Sequence, residues 1–287
     1  IFITKILLLF FTLEITKYIN LNYPYKIIFF LLSSLFLLSF INYNLNSVDI
    51  VSFREIPIIL SLILFIKTFD SESYINYILI GFLSVFTFLW SVDRAFVLIF
   101  FILFIFFILI YNKKYKQLTA LFLSIIFFWM LFFLFFSYEF SFFISNTLSI
   151  IKEHSYVNGI IHPIPFTDEK NSTRATKNLL AIIFSLIISL SLLFKKDEKY
   201  SNKIKIILFS LSIYCFLSYV YAVGRSDGPH IKQAFAFPAI FFVFYFVLNF
   251  ISKSKIIFLK DNKSMFAIFP ILVLFLYLMN IDFKKIN

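Results

Sequence analysis

Seven consecutive residues, Gly224-Arg225-Ser226-Asp227-Gly228-Pro229-His230, gather a guanidinium, a carboxylate and an imidazole into one short turn between two long apolar runs. Arginine presents a planar fork that matches phosphate oxygens. Histidine donates to a phosphate or shuttles a proton near neutral pH. Aspartate orients a hydroxyl, holds a cation or acts as a base. A turn carrying all three is equipped to seat a phosphate ester and to move a proton beside it. The plainer reading is a solvated interhelical turn in which Arg225 and Asp227 pair with each other.

Two further groups share this chemistry. Trp90-Ser91-Val92-Asp93-Arg94 forms a polar turn between two apolar runs. Its plain reading is a pair of short helices anchored at the membrane surface, with Trp90 in the aromatic belt. His162 stands in His162-Pro163-Ile164-Pro165, followed by Asp168, Glu169 and Arg174. Prolines at alternate positions bar a helix and favour an extended path over residues 156–166. Arg54, at a helix start, reads more readily as a snorkelling anchor than as a ligand.

The elements that must position these residues are set by composition. The chain of 287 residues is 61% hydrophobic and only 14% charged, with 46 phenylalanines. Soluble domains carry about 25% charged residues, so a soluble globular fold is excluded. Several runs reach the ~20 apolar residues that cross a bilayer core. The reading is all-α, a polytopic membrane protein with about ten transmembrane helices, since a spanning segment must satisfy its own backbone hydrogen bonds. The spans fall at about 1–13, 26–42, 54–68, 75–91, 95–111, 117–137, 177–194, 203–222, 233–251 and 264–281, within a single domain over residues 1–287.

Charge fixes sidedness. The lysines concentrate in three loops, around Lys113-Lys114-Lys116, Lys195 to Lys205 and Lys253 to Lys263. By the positive-inside rule these loops face the cytoplasm. The outer side then receives residues 43–53, the 91–94 turn, the long 138–176 segment and the 223–232 turn. Nearly all the mixed-charge, histidine-bearing sequence therefore gathers on one face. In the long outer segment, Phe140, Phe143, Ile144, Leu148 and Ile151 share one helical face, and Ser141, Ser145, Ser149 and Lys152 share another. That pattern predicts an interfacial helix, or else a continuation of span 117–137. The chain starts at Ile1 within an apolar run that the count places outside. An upstream span and an outer loop are thus expected to precede it.

The net charge of +11 raises the possibility of nucleic acid. Its segregation into alternate loops reports orientation and anionic lipid heads instead, and no nucleic-acid partner is expected. Cys215 is single and lies in a span, so it forms no internal disulfide. The histidines, His154, His162 and His230, lack zinc-type spacing. No metal site is assigned; a divalent ion is compatible with the carboxylates, although no carboxylate cluster demands one.

The stretch Tyr221 to Ile231, followed by an apolar span with Pro238, resembles the Gly-Arg-x-Asp-x-x-His turn of GT-C-type polytopic membrane glycosyltransferases. Gly81 to Phe96, with Trp90-Ser91-Val92-Asp93-Arg94, looks like a second block of such proteins. Val157-Asn158-Gly159 through Phe166, with Arg174-Ala175-Thr176, looks like a third. The resemblance covers roughly spans 54–251. It implies a helical membrane fold and a polyprenyl-phosphate sugar donor. It also implies transfer by direct displacement on the periplasmic face of a bacterial inner membrane, with a carboxylate as base. That carboxylate usually lies in the first outer loop, upstream of Ile1 here, so Asp93 and Asp227 are substitutes for it. Arg225, His230, Asp227, Arg94 and His162 are the donor-phosphate or substrate-binding candidates. Two alternatives stand beside this one. An O-antigen ligase or polymerase would use polyprenyl diphosphate glycans, and a non-enzymatic transporter would carry ionisable groups and broken helices at mid-depth.

Overall fold

The computed structural model describes residues 2–41, 53–69, 73–152, 164–168, 172–194, 200–223 and 234–253. All regular structure among them is helical. The helices are α1 (Phe2–Lys17), α2 (Tyr23–Ile41), α3 (Ile56–Lys67), α4 (Ile75–Trp90), α5 (Val92–Tyr111), α6 (Tyr115–Lys152), α7 (Ser172–Phe194), α8 (Asn202–Val223) and α9 (Ala236–Lys253). A short 3₁₀ turn, Phe53–Glu55, leads into α3. Each of the first nine anticipated spans coincides with one of these helices. The tenth, 264–281, lies outside the described residues.

Among the described residues, three helical stretches are long and apolar enough to cross a membrane: Arg94–Tyr111, Tyr115–Asn146 and Ala175–Phe194. Shorter apolar helices cover Tyr23–Leu38, Ile75–Trp90 and Ala236–Ile251. Apolar surface gains little from meeting other apolar surface when the surroundings are lipid, so helix association here rests on close packing and a few buried polar contacts.

Packing closes a ring in the order α1, α3, α5, α8, α9, α2 and back to α1. Aromatic side chains fill its interior. Phe65 meets Phe101 edge-on at 5.4 Å, Phe101 meets Tyr214 at 4.6 Å, and Tyr214 stacks on Phe237 at 5.3 Å. Phe244 takes Phe11 at 5.7 Å and Phe29 at 5.9 Å. Aromatic pairs add about 0.5–1.5 kcal/mol each beyond the area they bury. A buried hydroxyl bridge, Ser61 Oγ to Tyr214 Oη at 3.0 Å, ties α3 to α8, and Ser189 Oγ to Ser212 Oγ at 2.9 Å ties α7 to α8.

Helix α6 lies outside this ring, against α4 and α5. Only 17% of its Tyr115–Asn146 stretch is buried, against 44% for Arg94–Tyr111 in α5. Its approach to α4 depends on Gly81, where an added Cβ would overlap Ser124 Oγ. Small residues at such a crossing let two backbones come close. Trp129 Nε1–H then donates to Ser84 Oγ across the same interface at 3.1 Å.

The 138–176 segment begins as part of α6. The helix runs on to Lys152 with one non-helical residue, Phe136 (φ −128°, ψ 26°). Beyond it Phe140 reaches back to Phe132 at 5.9 Å and to Phe133 at 4.9 Å. Residues eight apart on a straight helix are separated by ~12 Å along the axis, so the chain bends sharply at Phe136. Phe140 and Phe143 land on Phe88 of α4 at 5.9 and 5.3 Å. Ser141, Ser145 and Ser149 are exposed, as the amphipathic pattern requires, while Ile144 and Leu148 are exposed as well.

The extended path anticipated through Pro165 is replaced at its end by a turn. Phe166 has φ 66°, in the left-handed region. Its N–H donates to Thr176 Oγ1 at 2.8 Å, and the Thr167 N–H donates to Ser172 Oγ at 3.0 Å. Ser172 Oγ in turn donates to the Ile164 carbonyl at 2.7 Å. Hydroxyls in the first turns of α7 offer the loop the backbone partners it needs, which makes the turn more favourable than an extended strand. The remainder of that path, 156–163, lies outside the described residues.

Candidate functional site

The helices alternate in direction, which sorts the polar residues to two ends. At one end, Lys203 Nζ sits 4.9 Å above the Tyr18 ring, and Thr68, Tyr77, Asn112, Lys114 and Lys203 line one cavity. At the other end the start of α3, the end of α4 and the start of α5 converge. That second end carries Arg54, Glu55, Trp90, Asp93 and Arg94.

Its geometry is built from the α4–α5 junction. The anticipated turn 91–94 contracts to one extended residue, Ser91 (φ −166°, ψ 105°), after which Val92 opens α5. The Ser91 N–H closes α4 on the Thr87 carbonyl at 2.8 Å, and its own carbonyl accepts from Arg94 and Ala95 at 3.0 Å each. A single extended residue therefore reverses the chain and delivers Arg94 to the first turn of α5.

Arg94 turns inward. It is 2% exposed, and its Nη2 meets Glu55 Oε1 at 2.6 Å, with Glu55 itself 3% exposed. Trp90 anchors the 3₁₀ turn that carries Glu55: its ring lies 4.4 Å from Phe53, and its Nε1–H donates to the Phe53 carbonyl at 3.3 Å. Pro57 at the second position of α3 suits a helix start, where its missing N–H costs nothing. The pair thus pins the starts of α3 and α5 together through a charge-assisted hydrogen bond.

This alters the role open to Arg94. A guanidinium buried against a carboxylate positions its surroundings; it does not present itself to an incoming phosphate as an exposed side chain would. Arg54, by contrast, is exposed. The backbone of Asp93 belongs to the first turn of α5, directly before Arg94, and its side chain lies outside the described set. Asp168 is exposed in the turn before α7. Arg225, Asp227 and His230, together with His162, lie outside the described residues. The helices that flank the 224–233 segment are placed, however: α8 arrives and α9 departs at the Arg94–Glu55 end.

Glu55 is not among the residues that the sequence singles out. Its signal was there to be read: a lone carboxylate at the head of an apolar run, on the same face of the membrane as Arg94, needs a cation if it is to be buried. Among the described residues no three of His, Cys, Asp and Glu come together in a form that could hold a metal ion.

No protein-family model matches the chain, and neither the curated proteins nor the solved structures contain a match.

Proposed function

We propose that the protein is a polytopic membrane glycosyltransferase that moves a sugar from a polyprenyl-phosphate donor to a lipid, glycan or protein acceptor at the outer, periplasmic face. The observation that carries this reading is the buried Arg94–Glu55 pair at 2.6 Å. Burying two charges in an apolar bundle costs several kcal/mol per ion before their attraction repays it, and ionisable groups retained at membrane depth mark functional sites. The pair stands at the end of the bundle where α8 finishes and α9 begins, the helices on either side of residues 224–233. All about ten spans and the integral inner-membrane location belong to the same proposal.

In this reading Arg94 and Glu55 frame the site, and Arg225 with His230 takes the donor phosphate. Asp227 orients Arg225 or a sugar hydroxyl, and His162 approaches from the long outer segment. A carboxylate, with Asp93 or Asp227 as the substitutes within this chain, removes the proton from the acceptor hydroxyl. The acceptor oxygen forms its bond to the sugar's anomeric carbon as the bond from that carbon to the phosphate oxygen breaks. Polyprenyl phosphate leaves with the electron pair.

The test is Arg225→Ala, with transfer from a polyprenyl-phosphate sugar measured in vesicles that carry the protein. Removing a donor aimed at developing charge costs about 100-fold or more in rate. Undiminished transfer removes Arg225 from the mechanism. Activity with diphosphate-linked glycans and none with the monophosphate sugar replaces this reading with that of a ligase or polymerase.

A further inference from the structure

Helix α6 bends where its sequence asks for no bend. Phe136 has φ −128° and ψ 26° inside an otherwise continuous helix, Tyr115–Lys152. Phe132-Phe133-Leu134-Phe135 precede it and Ser137-Tyr138 follow it, with neither proline nor glycine among them. Sharp kinks usually have such a local cause, so this one is imposed by packing.

The packing centres on one ring. Phe88 of α4 meets Trp129 and Phe132 before the bend, at 5.4 and 5.6 Å. It meets Phe140 and Phe143 after the bend, at 5.9 and 5.3 Å. Phe140 closes the angle on Phe133 at 4.9 Å. Farther along, Phe142, Ile144 and Leu148 are exposed, so residues 137–152 are an arm held at its base.

The bilayer acts on the same arm. A straight α6 of 38 residues would measure ~57 Å, and its apolar stretch Tyr115–Asn146 ~48 Å. The hydrocarbon core is only ~30 Å thick, and residues 115–136 fill it alone with ~33 Å of helix. Straightening therefore lifts Phe142, Ile144 and Leu148 out of the lipid, whereas bending lays the arm along its surface. Helix continuity at Phe136 favours the straight form, and Phe88 favours the bent one. A thicker bilayer relieves the mismatch of the straight form and moves the balance towards it.

We propose that residues 137–152 form a hinged arm that swings about Phe136, latched to α4 by Phe88 and released as the bilayer thickens. The latch lies two residues before Trp90, whose Nε1–H holds the turn that carries Glu55, so the swing takes place beside the Arg94–Glu55 end. It requires only that the chain lie in a membrane, and it stands or falls apart from sugar transfer.

The experiment places spin labels at Lys116→Cys and Ser149→Cys, both exposed positions of α6, and measures their separation in nanodiscs. Cys215, the one native cysteine, is buried away from the label. A straight helix sets the labels ~50 Å apart; the parent protein is expected to show a main distance well short of that. Exchanging dimyristoyl for the longer dierucoyl phosphatidylcholine raises the extended fraction several-fold. Phe88→Ala raises it on the order of ten-fold, the effect of two ring pairs lost to the arm, and Phe143→Ala, which loses one, about three-fold. Phe82→Ala changes it by less than about two-fold, since Phe82 meets Phe86 and Phe128 and no ring of the arm. A fraction that does not rise in the thicker bilayer, or does not rise without the Phe88 ring, makes the bend a fixed elbow and overturns the proposal. A broad spread with no peak near ~50 Å means that the arm unfolds instead of swinging, and overturns it too. Phe143→Ala keeps the test decisive if Phe88→Ala does not fold.

Discussion

The two ends of this bundle are held together by different means. At the Arg94–Glu55 end, one buried ion pair at 2.6 Å joins the starts of α3 and α5. At the lysine-rich end, bonds between neutral groups also join helices. Tyr18 Oη–H donates to the Ile66 carbonyl at 3.1 Å, Tyr200 Oη–H to Asn249 Oδ1 at 2.7 Å, and Ser201 Oγ–H to the Tyr18 carbonyl at 2.9 Å. Lysines take part as well: Lys26 Nζ–H donates to the Lys17 carbonyl at 3.2 Å, Lys203 sits over the Tyr18 ring at 4.9 Å, and Lys17 pairs with Glu14 within α1 at 2.8 Å. The end with balanced charge sinks a cation and an anion into the interior. Stability alone does not call for the second arrangement, because apolar residues of similar volume often serve as well as a buried pair. The contrast therefore separates a face joined by several mostly neutral contacts from a face built around one buried charge pair.

The largest effect is expected from breaking the pair on one side only. Glu55→Leu leaves the Arg94 cation buried without its carboxylate and destabilises the protein by about 3–5 kcal/mol. Glu55→Leu with Arg94→Leu removes both charges and recovers most of that loss. Thermal unfolding of the three proteins in one detergent measures both. If the double variant recovers stability but transfers no sugar, the pair is kept for function. A cost below about 1 kcal/mol for Glu55→Leu, the scale of an exposed pair, contradicts the burial on which the contrast depends.

Much of the fold was legible because length and apolar continuity report spanning helices directly. The runs near 95–111, 117–137 and 177–194 became helices at those places, for the reason that lipid leaves the backbone no other way to satisfy itself. The bend at Phe136 was not legible. Nothing local marks it, neither Pro nor Gly, and it follows from aromatic contacts with α4 that only packing reveals. The turn at Ile164 to Asp168 was hidden likewise, since it depends on hydroxyls of Ser172 and Thr176 several residues away. Of the candidate site, Arg94 was found from its turn, but its partner was overlooked. Residues 39 apart in sequence pair here because two helix starts meet at one end, and one-dimensional spacing carries no trace of that.

A middle-sized effect belongs between the two ends, where charge plays no part. Gly81 lets α4 and α6 touch, and a larger side chain there must push Ser124 aside. Gly81→Leu is expected to cost about 1–3 kcal/mol, the usual penalty of overpacking. It should also break the Trp129–Ser84 hydrogen bond of 3.1 Å and shift tryptophan emission. Because α6 lies outside the ring, the variant loosens α6 while leaving the Arg94–Glu55 pair in place. A loss of pair-dependent stability in the same variant would show that α6 supports that end, which the ring arrangement denies.

The smallest effect sharpens the lysine-rich side of the comparison. Tyr200→Phe deletes the hydroxyl that donates to Asn249, while the Asn249 amide still donates to the Tyr245 carbonyl at 3.0 Å. A neutral hydrogen bond contributes about 0.5–1.5 kcal/mol net, so the variant should unfold only slightly earlier than the parent in the same detergent. The contrast with Glu55→Leu is the point of the measurement. Removing one neutral partner leaves a dipole that water or a neighbour can satisfy, whereas removing one charged partner leaves a monopole in an apolar interior. If Tyr200→Phe cost as much as Glu55→Leu, the ends would be joined by bonds of equal weight, and the charge pair would lose its claim to a separate purpose.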